Sequence, residues 1–461
     1  MRPSPGRNGT AESLALGLFV CTGLALPFYA FPVLRVAGRS VDLATLFAAL
    51  FVAASLVALG LRLRIPASSV LFVLAAALPL LVLIEPRPPR FEPSRFAASF
   101  GHWLLVVSVF FAASFLRADG SWRRRVVTAN CLMGGAIAAF GLYQATGHPA
   151  GWPGTGSLLL NSQREPLRLL PIGESGYLRP TSVFLEPAWL GGYLAFSLAA
   201  LLGVLSAGTL KRRVSRTIVI AALVMVLLCA LATVSWGAYA DLAAVLAAGL
   251  WAMRERFRAS PKTAALAGGI LVLVLVAGTL SPPGRAVVNA ASERWRMLLG
   301  TPVGEDVPAQ DVSDSSWMRF QNLRHTEELI GEHPWRGVGL GQFGRYAQTS
   351  ASSFIAAAST RDPWCGWLAI AAETGLLGPF VLAGFLLAVV WRGSASQRLR
   401  GDASDEAFRR VTVPALVLLA LVQQAHTGSY IDLWWWYPLS VATLLAAPST
   451  GSPPAILESG P

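Results

Sequence analysis

The sequence predicts an all-α membrane protein with about twelve transmembrane helices, and three observations lead to this prediction. Of its 461 residues, 54% are hydrophobic and only 13% are charged, whereas about 25% are charged in a soluble domain. Apolar runs of roughly twenty residues, the length that crosses a bilayer as a helix, recur throughout the chain. One long polar segment, 282–363, separates two of these runs and is too polar to lie in lipid. We therefore expect a single integral membrane domain over residues 1–461.

The apolar runs and their flanking residues place the predicted helices along the chain. The first run lacks a clear small-x-small cleavage site and more runs follow, so it is interpreted as a retained helix rather than a signal peptide. The predicted spans lie near 13–33, 42–61, 67–85, 97–116, 126–145, 188–207, 217–234, 237–253, 263–281, 364–391, 411–426 and 432–447.

The basic residues predict how these helices are oriented. The net charge is +12, and many Lys and Arg residues cluster in short connections such as Arg123–Arg125 and Lys211–Arg213. Cytoplasmic loops carry such an excess, so both termini are predicted to be cytoplasmic, although the arginines of 86–96 run against this rule. Charge in short connections also argues against a nucleic-acid-binding groove.

This orientation leaves two long loops on the extracytoplasmic side. The smaller loop covers 146–187 and the larger covers 282–363. The last residues, 448–461, are rich in Pro, Gly and Ser and predict a disordered cytoplasmic tail. A functional site is therefore expected on the extracytoplasmic side, where both loops are exposed to water.

The first patch, Arg179–Gly192 (RPTSVFLEPAWLGG), joins the smaller loop to a predicted helix. Arg179 precedes a proline and should be extended, whereas Glu186 precedes Pro187, which suits the first turn of a helix. The positive end of the helix dipole would then lie beside an arginine and attract an anion such as a diphosphate. Alternatively, Glu186 only caps the helix, and Arg179 pairs with it or extends towards the membrane surface.

The second patch, Trp317–Gly344, holds the densest set of ionisable groups. Its members fall in one stretch with helical spacing, in which Arg324 and Glu328 are four residues apart and can share a face. An amphipathic helix on the membrane surface is the alternative interpretation. The ionisable residues between 319 and 333 are Arg319, Arg324, His325, Glu327, Glu328, Glu332 and His333.

Glycines Gly337, Gly339 and Gly341 follow in the sequence WRGVGLGQFG. Residues 339–344 match G-x-G-x-x-G literally, but a dinucleotide site needs a preceding strand within a βαβ unit. We therefore interpret the glycines as a tight turn that lets backbones approach closely. Glu373 is predicted at the start of the tenth span, where an ionisable side chain is costly and often functional.

No pattern predicts a metal or another cofactor. The acidic run from Glu305 to Asp314 lacks calcium-loop spacing, and the four cysteines are far apart without zinc-site spacing. His426 lies near Ser429 and Asp432, but no nucleophile elbow accompanies them. Interfacial packing beside the tryptophans 434–436 is the favoured interpretation of His426.

Three of these stretches resemble motifs of the O-antigen polymerase and O-antigen ligase superfamily. RPTSVFLEPAWLGGYL at Arg179–Leu194 is similar to that family's Arg…Phe-x-Glu-Pro…Gly segment. EHPWRGVGLGQF at Glu332–Phe343 is similar to its His-Pro-x-x-Gly-Val-Gly-x-Gly turn, and AETGLLG at Ala372–Gly378 to its Glu-Thr-Gly-x-x-Gly helix start. The motifs occur in the family's order, and the resemblance covers roughly residues 120–395.

The resemblance implies a GT-C-like, metal-independent glycosyltransferase that uses an undecaprenyl-diphosphate-linked glycan at the extracytoplasmic face of the bacterial inner membrane. It assigns the donor diphosphate to Arg179, Arg319 and Arg324, and guanidinium groups suit a diphosphate because they bind it bidentately. Glu186, Glu328 and His333 are the candidates for the catalytic base, with no choice among them. Besides the lipid bilayer, a chain-length regulator and a flippase are candidate partners.

One departure from the family favours a polymerase of O-antigen or exopolysaccharide repeat units. The ligase branch carries His-Asn where this chain has Trp364-Cys365, and Trp236 stands where the family often shows arginine. A ligase that transfers glycan to a lipid or protein acceptor stays open as an alternative. A lipid-linked glycan flippase or exporter would predict mid-span charges and often a repeat, and a non-enzymatic scaffold is the third alternative.

Overall fold

The structure is a computed structural model, and several predicted features lie outside the residues it describes. These features are the ninth span at 263–281, most of 282–314, the segment 351–364 and the tail at 448–461. The described residues are 5–29, 31–36, 39–60, 68–84, 88, 91–116, 118–156, 171–172, 177–184, 186–207, 213–259, 285, 288–289, 315–350, 365–396, 403–427 and 432–446.

The described chain is mainly helical, as the apolar periodic runs predict. Short 3₁₀ turns at Leu26–Phe28 and Leu78–Leu83 extend the first and third helices. The helices are α1 Pro5–Ala25, α2 Leu43–Gly60, α3 Ser68–Ala77, α4 Pro93–Phe115, α5 Gly120–Gly147, α6 Pro187–Ala207, α7 Arg213–Ala232, α8 Trp236–Ala259, α9 Ser315–Glu332, α10 Phe343–Ser350, α11 Gly366–Thr374, α12 Leu377–Ser396, α13 Ala403–His426 and α14 Leu433–Ala446.

Within the described residues, five helical segments are long and apolar enough to cross a membrane. Shorter apolar helices, among them parts of α2 and α7, accompany them. These features are those of an all-α, multi-pass membrane protein. The five segments are Thr10–Phe28, Pro93–Phe115, Gly120–Gly147, Pro187–Ala207 and Trp236–Arg254.

Helix α6 lies at the centre of the helix bundle. In α6, 83% of the apolar stretch is buried, against 44% in each of the other four segments. It packs against α5, α7, α8 and α13. Aromatic side chains of α14 complete the core, because Tyr437 packs on Phe19 with ring centroids 4.8 Å apart and Trp436 packs on Phe110 at 5.8 Å. The elements that carry both polar patches are thus mounted on a packed helical core.

Two short hairpins add β structure that the all-α prediction did not include. Strand β1 (Pro32–Val36) pairs antiparallel with β2 (Arg39–Asp42), and β3 (Pro171–Ile172) pairs with β4 (Tyr177–Leu178). Both fall in segments predicted as connections between helices. Pairing satisfies backbone N–H and C=O groups that lack helical partners there.

The tenth predicted span, 364–391, is wrong as one continuous helix, because it divides into α11 and α12. Gly375 lies at the break with φ +80°, and a Cβ there would overlap the Trp335 carbonyl. The Leu376 N–H donates to the Pro334 carbonyl oxygen at 2.8 Å. The close approach of residues 334–336 therefore occupies the space in which the helix would continue.

Candidate functional site

The first patch lies against the ends of α5 and α7. The Tyr177 hydroxyl donates to the Ala232 carbonyl oxygen at 2.8 Å, at the last residue of α7. The Ser182 N–H donates to Gln144 Oε1 at 2.7 Å, and its hydroxyl donates to the Ile137 carbonyl oxygen at 3.1 Å. Buried hydrogen bonds across three elements therefore fix the patch, although Ser182 has an unusual φ of +52°.

Arg179 and Glu186 flank this fixed turn and are both partly buried. The Arg179 guanidinium interacts electrostatically with Tyr177, whose pKa burial raises above its ordinary value. The Glu186 carbonyl oxygen accepts the N–H groups of Trp189 and Leu190, both at 3.2 Å, so α6 begins at Glu186 and Pro187. A helix N-terminus attracts negative charge, so this geometry fits both the capping interpretation and the anion site.

The second patch begins on α9, which is an amphipathic helix. Asn322, Thr326 and Leu329 are buried along one face. Arg324 lies 3.9 Å from Glu328, and their side chains are 57% and 59% exposed. Exposed pairs of this kind contribute about 0–1 kcal/mol. Arg324 and Glu328 are thus available to a ligand at the surface, as the surface-helix alternative also predicts.

The remaining candidates are Arg319 and His325 on α9 and His333 just after it. Arg319 belongs to α9, and its side chain is outside the described residues. His325 lies 3.6 Å from the Glu328 carboxylate. His333 follows the last turn, with its ring 6.2 Å from that of Tyr346 in an edge-on arrangement. These contacts bring the second patch towards α10.

The segment Gly337–Gly341, called the glycine turn, packs on the end of α11. All three glycines have positive φ, at +63°, +100° and +70°. The N–H groups of Val338 and Gly339 donate to the carbonyl oxygens of Ala372 and Glu373, each at 2.9 Å. A Cβ on Gly337 would overlap the backbone at Glu373. The tight packing of two backbones therefore requires glycine at 337.

The Glu373 carboxylate holds the glycine turn from its other side. One oxygen accepts the N–H of Gly341 at 2.9 Å, and the other accepts the N–H of Phe343 at 3.1 Å. Glu373 lies at the end of α11, so its predicted position at the start of a span is wrong. Its buried carboxylate satisfies backbone donors that the turn leaves without carbonyl partners.

A second tether, the Glu92 clasp, consists of Glu92, Gln342 and Arg345. The Glu92 N–H donates to Gln342 Oε1, and Gln342 Nε2 donates to the Glu92 carbonyl oxygen, both at 3.1 Å. The Arg345 guanidinium pairs with the Glu92 carboxylate. Hydrogen bonds from Ser94 and Arg345 hold the pKa of Glu92 below its ordinary value. The clasp joins the second patch to the start of α4.

A polar cluster that the sequence analysis missed lies where α6, α8, α11 and α13 meet. His426 Nε2 is 2.9 Å from Asp241 Oδ1, and the Gln423 amide interacts with the same carboxylate. Asp241 is fully buried, and the His426 side chain is 19% exposed. We call Asp241, Gln423, Gln424 and His426 the helix-end cluster.

Glycines on three helices let the cluster form. A Cβ at Gly237 would lie 2.5 Å from His426 Nδ1, and one at Gly192 would lie 2.5 Å from Gln423 Nε2. A Cβ at Gly366 would overlap the Gln424 side chain. Because Gly192 belongs to the first patch and Gly366 begins α11, the cluster adjoins both.

His426 contacts an acid that is distant in the sequence. Ser429, which is close to it in the chain, lies outside the described residues, and Asp432 precedes α14, where its carbonyl oxygen accepts the N–H of Trp435 at 3.1 Å. The acid that contacts His426 is Asp241, 185 residues earlier. An aspartate within an apolar helix was the available signal, since such residues are rare in membrane spans.

The two patches occupy different sides of the cluster. Arg179 and Glu186 lie on the side of α5 to α8, whereas Arg324, Glu328 and His333 lie on the side of α9 to α11. Helix α11 links them, because Gly366 contacts the cluster and Glu373 contacts the glycine turn. At 1.5 Å per residue, these two residues are about 10 Å apart along the helix.

Comparison with known proteins does not assign the chain to a family. The chain matches no protein-family model and no curated protein. The motif resemblance and the geometry of the site are therefore the grounds for a functional proposal.

Proposed function

We propose that the protein is a polymerase of polyprenyl-diphosphate-linked oligosaccharide repeat units. It would act at the extracytoplasmic face of a bacterial inner membrane, with about twelve spans, a GT-C-like arrangement and cytoplasmic termini. One observation carries the proposal. The start of α6, which belongs to the first patch, and polar side chains of α8 and α13 meet at helix ends that the charge distribution predicts to lie on the extracytoplasmic side.

Donor binding is proposed at the start of α6. A diphosphate carries negative charge that the helix N-terminus and the nearby Arg179 both favour. The buried hydrogen bonds of Ser182 and Tyr177 fix the backbone on either side of Arg179, which limits the reorganisation needed on binding. Arg324 and Arg319 on α9 are the second candidate cations for the same lipid-linked group.

The proposed reaction transfers a glycan from one lipid carrier to a second repeat unit. An acceptor hydroxyl attacks the anomeric carbon, a new C–O bond forms, and the bond from that carbon to the diphosphate oxygen breaks. The diphosphate leaves with the electron pair, so fixed positive charge stabilises the transition state. In this proposal arginines provide that charge, and the reaction needs no metal.

A gene deletion followed by analysis of glycans and polyprenyl-linked intermediates tests the proposal. Loss of long chains, with single repeat units still reaching the cell surface, is the expected result. Units confined to the inner leaflet would instead indicate a flippase. Full-length polymer retained on its lipid carrier would indicate a ligase. A deletion strain with unchanged glycans would contradict all three activities.

Complementation with arginine variants tests the donor site. We expect Arg179→Ala and Arg324→Ala to reduce polymer length or amount, because each removes a cation from the proposed diphosphate site. Arg410→Ala is the matched control for Arg324, since Arg410 also pairs with a glutamate four residues away and is 51% exposed. Equal amounts of inserted protein must be verified for each variant. Wild-type glycans with both site variants would refute this donor site.

A further inference from the structure

The helix-end cluster concentrates hydrogen-bonding groups in a buried place. Gln423 and Gln424 are buried side by side at the end of α13, and Asp241 is buried opposite them on α8. Trp434, at the start of α14, packs within 6.0 Å of Trp189 on α6. Five helices thus contribute to one buried polar cluster with aromatic rings beside it.

Several polar atoms of the helix-end cluster and of the neighbouring Trp434 are buried without a hydrogen-bond partner among the described residues. They are Gln423 Oε1, both amide atoms of Gln424 and Trp434 Nε1. Buried polar groups are normally paired, so several unpaired ones in one cluster point to a ligand with many donors and acceptors. Amides both donate and accept, and an indole N–H donates. Sugar hydroxyl groups, which do both, complement this set beside aromatic rings.

The Asp241–His426 contact determines which histidine nitrogen is available. When Asp241 is ionised, its carboxylate accepts the Nε2–H of His426, which leaves Nδ1 as the acceptor nitrogen of the ring. Nδ1 lies beside Gly237, where a Cβ would be 2.5 Å away, so the absence of a side chain there makes room for the ring.

We propose, resting on the polymerase function above, that the helix-end cluster is the acceptor subsite. Gln423, Gln424 and Trp434 hold hydroxyl groups of the terminal sugar of the acceptor unit. His426 Nδ1 takes the proton of the attacking hydroxyl, whose oxygen bonds to the anomeric carbon as the diphosphate departs. Asp241 is a positioning residue, because it fixes the ring and stabilises the protonated imidazole.

The location of the cluster suits this role. Gln423 approaches Gly192, which is five residues from the first residue of α6. At 1.5 Å per residue, this contact lies about 8 Å along α6 from the proposed diphosphate site. A sugar attached to a diphosphate at the start of α6 can therefore reach a hydroxyl held by the cluster.

The test uses the full-length protein in lipid nanodiscs. The donor is the lipid-linked repeat unit extracted from the deletion strain. The acceptor is the repeat-unit oligosaccharide with a fluorophore at its reducing end, and the product is the fluorescent oligosaccharide extended by one unit. Donor and acceptor concentrations are varied separately to give a KM for each.

Two variants should affect different constants. His426→Gln should lower kcat about 100-fold or more, the usual effect of losing a catalytic base, with the donor KM unchanged. Gln424→Leu should raise the acceptor KM about tenfold, the equivalent of about one lost hydrogen bond. Asp241→Asn should lower kcat while leaving both KM values near those of the wild type. His102→Gln on α4 is the control histidine variant.

A structural role and a catalytic role give different results. General misfolding would lower the yield of monodisperse protein and affect both KM values together. Gly237→Ala provides a second variant, because it removes no polar group yet places a methyl group beside Nδ1, and it should also lower kcat. Wild-type kinetics in His426→Gln and Gln424→Leu would overturn this inference while leaving the polymerase intact. No extension by the wild-type protein would overturn both.

Discussion

The glycine turn and the helix-end cluster are two polar regions built in different ways. The turn comes from one continuous stretch, and its carboxylate partner Glu373 lies only 30 and 32 residues from the groups it accepts. The cluster joins Asp241 to His426 across 185 residues. Dense local chemistry is visible in a sequence, whereas polar groups brought together by helix packing are not.

The two regions also differ in how their polar groups are satisfied. In the glycine turn, backbone donors find carbonyl and carboxylate acceptors within 3.1 Å. In the helix-end cluster, amide atoms of Gln423 and Gln424 are buried without partners among the described residues. A satisfied region holds a fold together, and an unsatisfied one suits the binding of a ligand. The following variants test how far the fold depends on the satisfied contacts of the glycine turn and the Glu92 clasp, from the largest expected effect to the smallest.

Glu373→Ala should cause the largest loss of stability. The substitution leaves the N–H groups of Gly341 and Phe343 without their carboxylate acceptor, which costs about 1–3 kcal/mol for each and about 2–6 kcal/mol for the two. Glu373→Gln should cost less because its amide oxygen still accepts one bond. Thermal denaturation in detergent micelles, with Glu327→Ala as an exposed glutamate control, measures the effect. A Glu373→Ala melting temperature equal to that of the control would show that the turn does not depend on this carboxylate.

Gly337→Ala should have an intermediate effect. Positive φ alone costs a non-glycine residue about 1–2 kcal/mol, and overpacking adds about 1–3 kcal/mol, because the new Cβ overlaps the backbone at Glu373. Gly151→Ala is the matched control, with a φ of +70° and open space around its Cβ position. The difference between their unfolding free energies isolates the close packing. Equal losses would mean that backbone conformation alone explains the glycine.

Arg345→Ala should have the smallest effect of the three, because the Glu92–Arg345 pair is partly exposed. The folded-state pKa of Glu92 is lowered from its ordinary 4.5, first by Ser94 and then by Arg345. Its contribution is therefore complete above pH 4.5 and is lost as the pH falls through the folded-state value. The difference in melting temperature between wild type and variant should shrink over that acidic range. A difference that is constant with pH would exclude the ion pair as its source.

The sequence predicted the membrane class and the positions of most helices because long apolar runs determine both. Helices occupy eleven of the twelve predicted stretches, and the ninth lies outside the described residues. The number of spans stays a prediction, since five described segments meet the length and hydropathy required. The break at Gly375 escaped prediction because it depends on Trp335, a tertiary contact.

Within the site, the sequence predicted the features that adjacent residues determine. It did not predict the features that depend on contacts between distant segments. Pro187 following Glu186 predicted the start of α6, and the glycine spacing predicted a tight turn. The role of Glu373 as a backbone acceptor depends on which segment packs against it. The pairing of Asp241 with His426 likewise depends on the packing of α8 on α13, which no spacing in the sequence encodes.

The Glu92 clasp has a consequence for the biogenesis of the protein. Glu92 emerges from the ribosome about 250 residues before Gln342 and Arg345, its partners. At about 5–20 residues per second, that interval lasts on the order of 10–50 s. The segment that holds Glu92 is therefore made early, whereas the clasp closes only after the segment that holds Gln342 and Arg345 has been synthesised. Closure of the clasp is thus a late step in assembly.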